Sequence, residues 1–160
     1  MSWLACDGPR RRHWGRYGAA GLLVVAPTQD AWHVLLDERA DWVHHGGTVG
    51  VPGGAIQAGE RPLDAALREV AEEVRGLDTA DLEMVAEHTQ PCPDCRRWTY
   101  TTLVARTTTL HPVAPRSYES AAVTWVAVGD VERLGLHPGF AAAWPSLRAI
   151  LRSAGVMTPG

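Results

Sequence analysis

An α/β fold, with a mixed β-sheet covered by helices on both faces, is what this sequence predicts, and three observations predict it. Short apolar runs bounded by turn residues recur along the chain and read as strands. Leu63, Leu67, Val70 and Val74 step by four, three and four, the apolar stripe of one helix. Phe140, Trp144, Leu147 and Leu151 repeat that spacing near residue 150 and mark a second. Strands, helix, more strands and another helix suit a layered arrangement. With 160 residues and 46% of them hydrophobic, one domain has enough apolar side chain for a real core.

Residues 1–17 read as an N-terminal arm, 18–152 as the domain and 153–160 as a C-terminal tail. The arm carries Arg10, Arg11, Arg12 and Arg16 but no apolar core or cleavage site of a secretory signal. These cations could touch a substrate phosphate, although a solvated tail is the commoner fate of such a run. AAGLLVVA, ended by Pro27, is a buried strand, and WHVLLD at 32–37 is its hairpin partner. The glycine-rich stretch from Glu38 to Ala55, interrupted by Pro52, is loop and short strand, where glycines let backbone approach a ligand. Pro62 suits the first turn of the helix that follows. Residues 81–89 and 97–105 pair as a hairpin around the turn PCPDC, and 106–120 form a loop able to close over a ligand. AVTWVAV is a further strand, residues 129–134 a short helix, and Pro145 lies inside the last helix, where a proline is able to kink it.

The formal charge of −3 gives no general attraction to nucleic acid or anionic membrane, and no apolar run approaches the roughly 20 residues of a membrane span. A cytoplasmic protein is the expectation. There is no Lys, so every fixed cation is Arg, which suits bidentate phosphate contact. Three cysteines make no disulfide framework. Cys92 and Cys95 form one CxxC, which with Cys6 and a histidine could make a zinc site. Since no second metal-spaced pair exists, the turn reads as a proline-rich surface feature with free thiols.

The chemistry concentrates between Gly53 and Leu77. Glu69, Glu72 and Glu73 stand at i, i+3 and i+4, so a helix brings three carboxylates to one patch. Like charges there repel, and a hard divalent cation with oxygen ligands is their natural partner. Gly54, Glu60, Arg68, Glu69, Val70, Glu72 and Glu73 match the Nudix box, Gly-x5-Glu-x7-Arg-Glu-U-x-Glu-Glu-x-Gly-U with U aliphatic, and the chain resembles that family over about residues 18–152. The end departs, with Arg75 where the box has Gly and Gly76-Leu77 one position late, as if the helix ran one residue further before its stop. The flanking HHGGTVGVPGGA, TYTTLVA and LHPGFAAAW look most like MutT-like hydrolases of actinobacteria.

The resemblance implies a Nudix-type α/β/α sandwich and a hydrolase that cuts a pyrophosphate bond in a nucleoside diphosphate-linked substrate with Mg2+, Mn2+ being a substitute. A nucleoside triphosphate such as 8-oxo-dGTP is favoured. ADP-ribose or a dinucleotide is the enzymatic alternative, and a non-catalytic nucleotide-sensing module is the other. By the same resemblance Glu72 and Glu73 lead the metal ligands, Glu69 is a further ligand or the base, Arg68 is an ion-pair partner, and the carbonyl of Gly53 joins the metal. Glu119, six residues before Trp125, is the distant acid. Arg39, His44 and His45 are the candidate substrate contacts, and Trp32, Trp42, Trp98 and Phe140 could stack on a base. The partner is a small nucleotide rather than nucleic acid or membrane, with a homodimer left open.

Overall fold

The computed structural model describes residues 3–6 and 12–156. Arg10, Arg11 and the last four residues of the expected tail lie outside the described residues. In chain order the elements are β1 (Trp3–Ala5), β2 (Arg12–Trp14), β3 (Ala19–Pro27), β4 (Trp32–Arg39), β5 (Val49–Gly50), β6 (Gly53–Ala55), α1 (Pro62–Glu73), β7 (Val74–Arg75), β8 (Glu83–Pro91), β9 (Thr99–Arg106), β10 (Ala114–Pro115), β11 (Ser120–Ala127) and α2 (Pro138–Ser153). A 3-10 turn, Val128–Arg133, stands where the short helix is expected.

Seven strands form the main sheet in the order β11-β4-β3-β9-β8, with β5 on β4 and β6 on β3. β3 and β9 run parallel and the other pairs antiparallel, so the sheet is mixed. Successive side chains of a strand face opposite ways, and β3 therefore feeds two cores. Leu22 and Val24 meet Ala65, Ala66 and Val70 of α1, while Leu23 and Val25 meet Phe140, Trp144, Leu147 and Leu151 of α2. Hence β3 is apolar without alternation: both faces are covered. The stripe of α1 is displaced from its sequence reading, since Leu63 and Leu67 only flank a contact made by Ala65, Ala66 and Val70. α2 continues through Pro145, which sits on its exposed side.

β3 and β4 are hydrogen-bonded only near their turn, from Val25↔Val34 to Pro27↔Trp32. Beyond it they splay, and the gap is filled by β5 against β4 and β6 against β3. The glycine-rich stretch fits there because Gly53 has no Cβ, one of which would collide with the Ala20 carbonyl and the Gly21 Cα. Helix α1 ends at Glu73, not one residue later. Val74 and Arg75 turn extended and pair with Pro115 and Ala114, and Gly76 takes φ +93° against the Pro112 carbonyl. That strand explains why Arg is accommodated at 75, and the positive φ explains the late glycine.

Two other expectations change. Residues 3–5 and 12–14 form an antiparallel hairpin rather than a featureless arm. The 106–120 segment is pinned, through β10–β7, Arg116 N–H to the Glu73 carbonyl at 2.8 Å, and Trp125 Nε1–H to the His111 carbonyl at 2.9 Å. No helix among the described residues is long and apolar enough to cross a membrane.

Candidate functional site

Arg68 is the hub from which the acids of α1 are arranged. Its guanidinium donates two bonds of 2.9 Å to the Glu60 carboxylate, one of 2.8 Å to Glu69 Oε1 and one of 3.0 Å to the Ala55 carbonyl. Glu72 is a more distant partner at 3.6 Å and stays exposed. The fork geometry is the strong form of such a pair, and it holds Glu60 down to about 2. Glu60 also accepts the Gln57 amide, tying the loop before α1 to the same network. Glu69 then lies against Gly54, where any Cβ would strike its carboxyl carbon. Burial raises the Glu69 pKa, and Arg68 opposes that rise.

Glu73 projects from the last turn of α1 toward the gap between β3 and β4. There its Oε2 accepts the Gly53 amide at 3.0 Å. Burial, then Asp37 and Glu69, push Glu73 up to about 9. Asp37 comes from β4 and was not legible as a site residue. It is 8% exposed and accepts Ser120 Oγ–H at 2.9 Å on one oxygen. Its other oxygen has no hydrogen-bond partner among the described residues, and burial raises it to about 6. Tyr100, from β9, faces the same carboxylates, and burial followed by Glu73 and Glu69 raises its phenol.

Such a cluster of oxygen donors around an unpartnered buried carboxylate fits a hard divalent cation. It also sets a pH dependence. Glu73 titrates at about 9 in the fold against 4.5 ordinarily, so between those values the folded chain holds a proton that the unfolded chain has released. Glu73 therefore contributes stability to the metal-free protein that is full below 4.5 and is lost as pH rises through that window, Asp37 adding the same slope between 3.8 and about 6, while His137, lowered by burial from 6.5 to about 4, slopes the other way between those values. A cation needs these groups ionised, so stabilisation by Mg2+ should grow over the same range. Melting temperatures across it, with and without Mg2+, check both, and a metal-free curve rising steadily with pH would refute the assignment.

The remaining candidates sit at the rim. Glu119 is exposed at the head of β11, its carbonyl accepting the Ala40 amide at 2.8 Å, and its charge is felt at Asp37 and Glu73. Arg39 ends β4 and donates Nε–H to the His44 carbonyl at 2.8 Å. His44 and His45 rings are 4.0 Å apart, and His45 meets His137 edge-on at 4.7 Å. His137, which the sequence offered only as part of a helix start, caps α2 by accepting the Gly139 amide, and burial lowers it to about 4. It packs beside Gly50, the β5 residue paired with Asp37. Of the aromatic candidates, Phe140 and Trp32 belong to the α2 core and Trp98 stacks on His13. Trp42, at 71% exposed, is left available, and so is Tyr118 beside Glu119.

The NUDIX domain family matches residues 16–148. A protein of Mycobacterium tuberculosis named "Putative 8-oxo-dGTP diphosphatase 3" is 49% identical over 140 residues, 85% of this chain and 64% of its own length. A nucleoside triphosphate pyrophosphatase/Nudix hydrolase fusion protein of Bifidobacterium longum is 36% identical over 93% of this chain and 31% of its own. The chain thus spans under two thirds of these relatives. Among solved structures, a Nudix hydrolase from M. smegmatis, RenU, superposes with a TM-score of 0.86 at 37% identity, covering 99% of this chain and 98% of that one. A C. elegans Ap4A hydrolase shares the fold at a TM-score of 0.68 and 19% identity, over 84% of this chain and 98% of its own.

Proposed function

The chain belongs to the NUDIX domain family, and from that premise we propose that it hydrolyses a pyrophosphate bond in a nucleoside diphosphate-linked substrate, with a nucleoside triphosphate such as 8-oxo-dGTP favoured. The observation that carries this reading is the convergence of Glu69 and Glu73 from α1 with buried Asp37 from β4 at the gap in the sheet. The 49% identical relative named for 8-oxo-dGTP supports the substrate choice. The full set of box acids favours turnover over a nucleotide-sensing module.

Glu73, Asp37 and Glu72 would hold a divalent cation, Mg2+ or in its place Mn2+, with Glu69 as a further ligand or as the base. When bound, that cation supplies charge neutralisation at the phosphates and acidifies water. Arg68 fixes the Glu69 carboxylate, so that group is already oriented whether it serves as ligand or as base. Water adds to phosphorus, its proton passes to a carboxylate, and the bridging P–O bond breaks to give a nucleoside phosphate and the remaining phosphate portion. Arg39, His44 and His45 contact substrate at the rim, and Trp42 offers a face to the base.

The test is a panel of nucleoside di- and triphosphates, 8-oxo-dGTP, ADP-ribose and dinucleotides with Mg2+ or Mn2+, products being resolved by chromatography. Preference for ADP-ribose or a dinucleotide would move the substrate to the alternative class, and binding without turnover would establish a sensor. On this reading Glu119→Gln should lower kcat by about tenfold or more with KM little changed, because its charge acts on the carboxylate cluster and matters mostly in the transition state. Unchanged kcat across the pH range would remove Glu119 from the site.

A further inference from the structure

Away from the acids, three separate parts of the chain meet at one buried point. Cys6 follows β1, His13 lies within β2, and Cys92 and Cys95 occupy the turn between β8 and β9. The three thiols are 6%, 6% and 7% exposed, so Cys92 and Cys95 are buried although Pro91, Pro93 and Asp94 around them are exposed, as a surface turn would have them. They are buried because the β1–β2 hairpin lies over that turn, something no local spacing could announce.

One potential ligand atom from each of the four residues lies within 4.8 Å of all the others. Cys6 Sγ and Cys92 Sγ are 3.7 Å apart. A disulfide would bring sulfurs to about 2.05 Å. Two thiolates on a tetrahedral zinc with bonds of about 2.3 Å stand about 3.8 Å apart. The observed separation is too long for a disulfide and is compatible both with a thiol–thiol contact and with two ligands of one ion.

The surroundings hold these groups in place. Trp98 stacks nearly parallel on the His13 ring, 4.4 Å between centroids, and fixes its orientation. The Cys92 amide donates to the Trp98 carbonyl at 2.7 Å, and the Arg96 amide to the Cys92 carbonyl at 2.9 Å. The backbone at Trp98 and Arg97 hydrogen-bonds to the Cys95 sulfur. Arg96, immediately after Cys95, takes φ +57°, a conformation that a side-chain-bearing residue keeps only where its neighbours impose it. Arg97 donates to the Ala5 carbonyl at 3.0 Å and Trp98 Nε1–H to the Gly15 carbonyl at 2.9 Å, joining hairpin and turn from both sides.

Packing alone is a weak account of this junction. Its apolar content is three cysteines and the flank of Trp98, and a two-stranded hairpin with three-residue strands is marginal without a further tie. We propose that Cys6, His13, Cys92 and Cys95 form a structural zinc site that staples the N-terminal hairpin to the β8–β9 turn. Four protein ligands close a tetrahedral ion, leaving no position for water, so the site is structural and separate from the carboxylate cluster.

These are the only cysteines of the chain, so thiol chemistry reads this site alone. Protein purified under reducing conditions should carry one equivalent of zinc by elemental analysis. Cobalt exchanged into it should give tetrahedral d–d bands with thiolate-to-cobalt charge transfer. All three thiols should resist a thiol reagent until a chelator removes the ion. Cys92→Ser with Cys95→Ser should lose the zinc, and His13→Ala should weaken its retention and shift the cobalt spectrum. Should the double variant fail to fold, the thiol and cobalt measurements on the wild-type chain decide alone. Failure to take up zinc or cobalt after reduction, or thiols equally reactive with and without chelator, would overturn the proposal. A disulfide in freshly reduced and repurified protein, seen as a two-hydrogen mass loss, would do the same.

Discussion

Replacing Glu73 by Gln is expected to lower turnover by about a hundredfold or more, the scale seen when a principal electrostatic group is removed from an active site, while leaving the metal-free protein at least as stable as the wild type. Both effects have one origin. Glu73 is half-buried near Asp37, Glu69 and Glu119, and without a cation its desolvation, followed by those charges, pushes it up to about 9. At neutral pH the metal-free carboxyl is therefore mostly protonated, and Gln imitates that form, keeping an oxygen to accept the Gly53 amide. Below 4.5, where the acid is protonated in the folded and the unfolded chain alike, the two proteins should melt together. As pH rises above 4.5 the unfolded wild type alone is stabilised by releasing that proton, which the folded carboxyl keeps, and the variant should gain on it. The trade of stability for a charged site is a common one. The pair of measurements is kcat at saturating Mg2+ and melting temperature against pH without metal. Near-normal kcat would take Glu73 out of the cation site, and a lower melting temperature at high pH would show that its charge holds the fold together.

Gly54→Ala is expected to cost about ten- to a hundredfold in kcat/KM with little loss of stability. The new Cβ would meet the end of a flexible side chain, the Glu69 carboxyl, rather than fixed backbone. Glu69 is able to swing aside, so the fold tolerates the methyl. In swinging it leaves the Arg68 Nη1 bond of 2.8 Å that orients it, and a displacement of about 1 Å at a reacting group is enough for a loss of that size. Gly129→Ala is the control, because nothing lies within 4 Å of a Cβ there. Circular dichroism and thermal melts should show both variants folded, and only Gly54→Ala should lose activity. Equal activity in the two would mean that the position of Glu69 is immaterial to the reaction.

What the sequence disclosed, it disclosed through local spacing. The acids of α1 lie within five positions, and their grouping follows from helical geometry alone. β3, β4, β8, β9 and β11 were visible as apolar runs between turn residues, with ends shifted by a residue or two. Asp37 was hidden because WHVLLD reads as an ordinary hairpin strand, and only the splaying of β3 from β4 turns its carboxyl toward Glu73. His137 was hidden because its sequence role, preceding Pro138 at a helix start, is a sufficient reason for a histidine there. Cys6 could be named with the CxxC only as an option, and His13 could not be singled out among seven histidines, because both lie some eighty residues from the turn they meet, a separation at which composition carries no pairing signal. Arg75 looked like a broken motif until the strand it forms with Ala114 supplied another use for the position.

The parallel pairing of β3 with β9 also governs how the molecule comes to exist. Its register joins Ala19 to Tyr100 and Val25 to Arg106, so the centre of the sheet closes a loop of about eighty residues, whose entropy is lost before any reward is collected. The β8–β9 hairpin and α1 draw on near neighbours and can form early. The carboxylate pocket cannot, since Gly53 takes its place from β3 while Tyr100 arrives on β9. On grounds of loop-closure entropy, helical structure is expected to precede assembly of the carboxylate pocket, with the search for that one long-range register as the slow step.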